Sequence, residues 1–75
     1  MTNKPINLLE EAIQYEDCPP MVMNILANLH RKLGNNQRAA QIYTMIYERS
    51  RDPSYQDLAR RKLEEMAAAL GVSGL

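Results

Sequence analysis

One glycine between two helix-periodic stretches, in "ANLHRKLGNNQRAAQIY" (residues 27–43), constrains this chain more than any other feature. Before Gly34, the residues Met23, Leu26, Ala27, His30 and Leu33 recur at intervals of three and four. After it, Ala39, Ala40, Ile42, Tyr43, Ile46 and Tyr47 do the same, and that interval is the helical one. Glycine accepts the positive φ that closes a helix C-terminus. The stretch therefore reads as two amphipathic helices in a tight antiparallel hairpin. A hairpin is a scaffold, so the first question is what it stacks against.

The same period continues on both sides. Ile6, Leu9, Ala12 and Ile13 predict a first helix over about residues 5–16, with Pro5 suited to its first turn. Pro19 disfavours helix at Cys18, and Pro20 fits only a helix start. After "RSRDPS", the spacing of Tyr55, Leu58, Ala59, Leu63, Met66, Ala67 and Leu70 predicts a fourth helix over about residues 54–70. Asp52 or Ser54 is expected to cap it. Gly71 is its expected stop, followed by a frayed "VSGL". No stretch alternates with period two, so no sheet is expected. The reading is all-α, with four helices in one domain, residues 1–75.

Size limits how such a domain is stabilised. A chain this small buries only ~60% of the surface its unfolded form exposes. Cys18 is the only cysteine, so no internal disulfide can form, and a lone thiol suits a reducing compartment. Cys18 and His30 are too few for structural zinc, which takes ~4 ligands. A partner protein or a homo-oligomer remains as the expected second source. Helix surfaces near the ends, at Leu8, Ile13, Met21, Leu63 and Met66, are expected to lack intramolecular cover. No apolar run reaches the ~20 residues of a membrane span. "MTNKPINLLEEAIQ" also lacks the apolar core of a signal peptide. The expectation is a cytoplasmic protein with no membrane association.

The hairpin carries a recognisable motif. Met23, Leu26, Ala27 and His30 fall at the intervals of W-x2-L-G-x2-Y, and Ala39 and Tyr43 satisfy A-x3-F. Gly34 stands at the internal turn, and Pro53 closes the unit two residues late. Small residues at Ala27 and Ala39 let two helix backbones approach, with Leu26 and Tyr43 filling the space beside them. Residues 20–53 thus resemble a tetratricopeptide repeat (TPR), flanked by a half repeat on either side. Glu64 departs from the pattern, in a position where that family carries a small residue. The resemblance implies stacked antiparallel hairpins forming a short right-handed superhelix. It also implies a non-enzymatic module, an adaptor or chaperone that binds a peptide or helix of a partner protein.

Reactive chemistry is not expected. Catalysis needs an acid or base held beside a nucleophile or metal. His30 lies on a buried stripe and reads as a packing histidine. Cys18 reads as a half-buried turn residue. The carboxylate pairs Glu10–Glu11, Glu16–Asp17 and Glu64–Glu65 are sequence neighbours that diverge by ~100° on a helix, so they read as solvated faces. The three glycines are scattered and form no phosphate loop. No cofactor and no metal are expected.

The polar stripe of the second helix is the candidate binding row. Asn24, Asn28 and Arg31 share it, and Arg61 and Glu65 are its counterparts on the fourth helix. Asn and Arg in a groove hold a peptide backbone or carboxylate by directed hydrogen bonds. The TPR carboxylate clamp places Lys and Asn one turn apart; Asn28 matches the Asn, but Asn24 stands where the Lys belongs. Arg60–Glu64 and Arg61–Glu65 are expected to form i,i+4 pairs on the fourth helix.

Two alternatives come from other classes. One is a helix-turn-helix DNA-binding regulator, reading with Gln37, Arg38, Gln41 and Thr44. The other is a purely structural homo-oligomer. The nine basic and nine acidic side chains cancel, which lacks the basic footprint of a nucleic-acid binder. They are unevenly placed, however. Residues 1–30 hold Lys4 against Glu10, Glu11, Glu16 and Asp17, a net −3; residues 31–75 hold eight basic and five acidic groups, a net +3.

Overall fold

Turn chemistry divides the chain where its prolines and glycine predict. The computed structural model describes residues 4–70, and four helices occupy them: α1 (Lys4–Ala12), α2 (Pro20–Lys32), α3 (Asn36–Arg49) and α4 (Pro53–Leu70). Among the described residues there is no strand. The fold is all-α, with four helices packed in pairs. Gly71 and the residues after it lie outside the described chain.

The hairpin turn is built by the backbone of Gly34, at φ +85°. Its N–H donates to the Arg31 carbonyl at 3.1 Å, and the Asn35 N–H donates to the His30 carbonyl at 2.8 Å. These two bonds form a Schellman motif, which satisfies carbonyls that the end of α2 would otherwise leave free. The α3–α4 turn rests on side chains instead. Asp52 Oδ1 accepts the Ser54 N–H at 2.9 Å, and the Asp52 carbonyl accepts the first helical bond, from the Gln56 N–H. Asp52 is thus the cap and Ser54 is not. Buried Ser50 accepts the Asp52 N–H on its hydroxyl at 3.1 Å, while Gln56 Nε2 donates to the Ser50 carbonyl at 2.8 Å.

Helix α1 stops at Ala12, short of the expected residue 16. Tight i,i+3 bonds follow, from the Gln14 N–H to the Glu11 carbonyl and from the Tyr15 N–H to the Ala12 carbonyl. They carry the chain through a turn to Pro19 and Pro20. Arg49, at the end of α3, donates from Nη1 to the Ile13 carbonyl at 2.9 Å and holds this turn down.

One apolar cluster joins all the helices. Met23, Leu26 and Ala27 of α2, Ala39, Ile42, Tyr43 and Ile46 of α3, and Ala59 and Met66 of α4 are buried, with Ile13 beside α1. Ala27 and Ala39 are both 0% exposed. Methyl side chains at these positions let α2 and α3 approach closely, and this pair and α3–α4 share the most extensive contacts. Burying a large apolar side chain stabilises by roughly 1.5–3 kcal/mol. Tyr43, Ile42, Leu26 and Ile46 are the main contributors of this kind.

Four expectations about the apolar surface are corrected. Leu33 and Tyr47 are exposed. Leu33 caps α2, where the chain turns away before α3 can cover it. Tyr47 lies beside the α3 stripe formed by Ala39, Ile42, Tyr43 and Ile46. Conversely, Ile13 and Met66, expected to lack cover, are 1% and 4% exposed. Ile13 is folded inward by the turn that Arg49 holds, and Met66 shares the α4 core face with Ala59. Leu63 is half-buried. Leu8 and Met21 remain uncovered, as their end positions suggest.

Alternate helices are bridged by long side chains. Glu10 of α1 reaches Arg38 of α3, and Arg31 of α2 reaches Glu65 of α4. Consecutive helices pack face to face. The molecule measures 36 × 31 × 15 Å, and its thin dimension fits two layers of helices ~8–10 Å apart. One layer contains α1 and α3, the other α2 and α4.

Candidate functional site

The two helices of the second layer carry the expected binding row. Three of its members meet. Arg31 Nη1 and Nη2 each lie 3.5 Å from Glu65 Oε1. Asn28, one turn earlier on α2, accepts a hydrogen bond on Oδ1 from the Tyr43 hydroxyl. Burial pushes the Tyr43 phenol up, with the nearby Arg31 charge opposing it. Asn28, Arg31 and Glu65 therefore surround one buried hydroxyl on α3. Lys62 Nζ approaches Glu65 Oε1 from within α4, at 4.0 Å.

The other two members stand apart. Arg61 pairs through Nε with Asp57 Oδ2 at 3.0 Å, and its side chain is 72% exposed. Arg60 pairs with Asp57 Oδ1 at 3.1 Å. The expected Arg60–Glu64 and Arg61–Glu65 pairs are thus replaced: Asp57 takes both arginines from the preceding turn, and Glu65 turns to α2. Asn24 is half-buried, and its Oδ1 is covered yet has no hydrogen-bond partner. An unpaired buried acceptor costs about 1–3 kcal/mol.

Two shallow depressions border the row. One, of about 330 Å³, is lined by Ser54, Asp57, Leu58, Arg61, Lys62 and Glu65. The other, of about 340 Å³, is lined by Asn28, Arg31 and Lys32. The Arg31–Glu65 contact separates them. It is long and solvent-exposed, so it contributes at most ~1 kcal/mol and opens readily to a competing carboxylate or amide. The arrangement offers directed hydrogen bonding along both helices. Asn24 lines neither depression.

A second polar cluster had no place in the sequence reading. Glu10, read there as part of a solvated face, is half-buried between helices. Its Oε2 lies 2.7 Å from His30 Nε2 and accepts Arg38 Nε at 3.0 Å, while Oε1 accepts Arg38 Nη2. Asn35 Nδ2 donates to His30 Nδ1 at 3.3 Å, so Nε2 carries the hydrogen toward Glu10. Hydrogen bonding from Arg38 holds the Glu10 carboxyl below its usual range, against the opposing effect of burial. Glu10 in turn raises Arg38. Both ring nitrogens of His30 are engaged, and the cluster fastens α1 to α2 and α3. A signal for it exists in the sequence. Glu10 lies four residues after Ile6 and three before Ile13, on the apolar stripe itself.

The remaining reactive groups stay quiet. Burial raises the Cys18 thiol against the opposing Arg49 charge, and a raised thiol is protonated and weakly nucleophilic. Among the described residues, no three His, Cys, Asp or Glu side chains converge as a metal site requires. None of the described helices is long and apolar enough to cross a membrane. Of the DNA-reading candidates, Arg38 is bound to Glu10 and Gln41, and the Thr44 hydroxyl donates to the Ala40 carbonyl. In comparisons with known proteins, no family model, no curated protein and no solved structure matches this chain.

Proposed function

We propose that this protein is a small TPR-like interaction module, a cytoplasmic adaptor or chaperone without enzymatic activity, that binds an extended or helical segment of a partner protein. One observation carries the reading: Arg31 on α2, one turn from Asn28, meets Glu65 on α4 between two open depressions. Alternating layers support it, because stacked hairpins leave the first helix of each pair lining one continuous face. Asn24, Asn28, Arg31, Arg61 and Glu65 are the proposed contacts. A segment offering a carboxylate to Arg31 and Arg61 and backbone amides to Asn28 uses the donors and acceptors present.

Nucleic acid is the weaker reading, since Arg38, the one charged residue among the four named reading candidates, is tied to Glu10. The test is selection of peptides from a random library on immobilised protein, with Arg31→Ala and Arg61→Ala compared against wild type. The proposal expects selected peptides to lose binding about tenfold in each variant while far-ultraviolet ellipticity is retained. Selected peptides that bind both variants as tightly as wild type overturn the site. A selection yielding no binder overturns the module.

A further inference from the structure

Tyr43 is wholly buried, yet its hydroxyl reaches the polar row, where it donates to Asn28 Oδ1. An asparagine amide carries an acceptor oxygen on one side and two donor hydrogens on the other. Whichever side the protein holds, the opposite one is left for a partner. Two features fix which it is. The phenol ring is packed in the core, so its hydroxyl stays where it is. Arg31 lies close to the same hydroxyl, and a guanidinium only donates. Its positive charge favours the lone pairs of the phenol oxygen and directs the hydroxyl hydrogen away, toward Asn28. Asn28 meets that hydrogen with its oxygen. It also borders the depression shared with Arg31 and Lys32, and Nδ2 is the part of the amide left for that space.

We propose that Tyr43 positions Asn28 so that α2 presents only donors, and that the site thereby selects an acidic segment. Such a segment sets a backbone carbonyl against Asn28 and a carboxylate against Arg31 and Lys32. This role rests on reading the row as a partner-binding site.

The charges around the row agree. Arg31, Lys32, Arg61 and Lys62 border the two depressions against Asp57 and Glu65, leaving a net +2. Both carboxylates are already engaged. Asp57 holds Arg60 and Arg61, and Glu65 faces Arg31 and Lys62. The acceptors of the site are thus occupied within the chain, and the donors of α2 are turned outward. A partner donor placed against Asn28 finds no acceptor there. Leaving a group unpaired costs more than a single bond contributes, so the face rejects donors as well as attracting acceptors.

The phenol is suited to this role because its two ends do different things. Its ring fills the space between α2 and α3, and its hydroxyl chooses the side that Asn28 turns outward. Phe at this position keeps the first property and loses the second.

The first measurement needs no ligand. Nuclear magnetic resonance of the full chain reads the exchange of the Asn28 side-chain amide hydrogens with water. Equal rates in wild type and Tyr43→Phe are expected. Protection in wild type that Tyr43→Phe removes shows Nδ2 bonded to the phenol and overturns the proposal.

The second measurement is calorimetric titration with end-blocked hexaglutamate as probe and end-blocked hexalysine as control. Wild type is expected to bind the first and not the second. Tyr43→Phe is expected to weaken hexaglutamate about fivefold and to change nothing in an Asn28→Ala background, with circular dichroism confirming that the helices persist. Equal weakening in both backgrounds means that the hydroxyl acts without Asn28, and overturns the positioning role. A wild type that ignores hexaglutamate, or binds hexalysine as well, overturns the acidic selectivity. The wider reading is tested apart from this. Library peptides that depend on Arg31 and Arg61 but lack acidic residues leave the module standing and remove the selectivity.

Discussion

Glu10 and His30, twenty residues apart in the chain, meet at 2.7 Å and join α1 to the hairpin. Arg38 binds the same carboxylate from α3, so one side chain on the shortest helix reaches both helices of the hairpin. Helix α1 otherwise packs mainly on α2, and less extensively than the later helices pack on one another.

Removing that carboxylate is expected to loosen α1 selectively. Glu10→Ala leaves the His30 Nε2 hydrogen without an acceptor and should cost about 2 kcal/mol. Urea denaturation measures the loss. Hydrogen exchange should show the amides of α1 opening well before those of α2 and α3, because local openings start where buried contacts are fewest.

The acid limb of stability should carry the signature of Glu10. Its ordinary value is 4.5, and the folded protein holds it lower, chiefly through Arg38. The folded state therefore binds fewer protons than the unfolded one in this window. Its contribution is complete above 4.5 and disappears as pH falls through the depressed value. Denaturation midpoints between about pH 6 and pH 2 should fall less steeply for Glu10→Gln than for wild type.

Gly34→Ala should destabilise through the backbone alone. A Cβ at this position meets nothing within 4 Å, but φ is +85°. Left-handed geometry costs an L-residue roughly 1–2 kcal/mol. Gly34→Asn should cost less, since Asn tolerates that region better. Thermal melts of the two variants should rank in that order.

Ala39→Leu should destabilise by overpacking. Ala39 is fully buried against α2, and added methylenes in a packed interior typically cost 1–3 kcal/mol. A lowered urea midpoint with an unchanged slope is the expected result.

Local features were legible in the sequence. The apolar periods located all four helices, Gly34 located the hairpin turn, Asp52 was one of two named caps, and Ala27 and Ala39 were read as buried small residues. Each depends on neighbours within a few positions, and that is what periodicity encodes. Features set by the packing of distant helices were less legible. Glu65 pairs with Arg31, 34 residues away, where a pattern confined to one helix predicted Arg61. Of the adjacent carboxylates Glu10 and Glu11, only Glu10 turns inward, because only it falls on the stripe with Ile6, Leu9 and Ile13. Leu33 obeys the α2 period yet stays exposed, because the chain reverses beside it.

Brevity gives α1 a further property. Nine residues are too few to hold coiled geometry alone in water, where ~12–15 are marginal even for favourable sequences. Attachment and folding are thus one event for this segment. When its carboxylate anchor releases, the segment unwinds as well as departs. Loss of helical ellipticity should then accompany release of the anchor in Glu10→Ala.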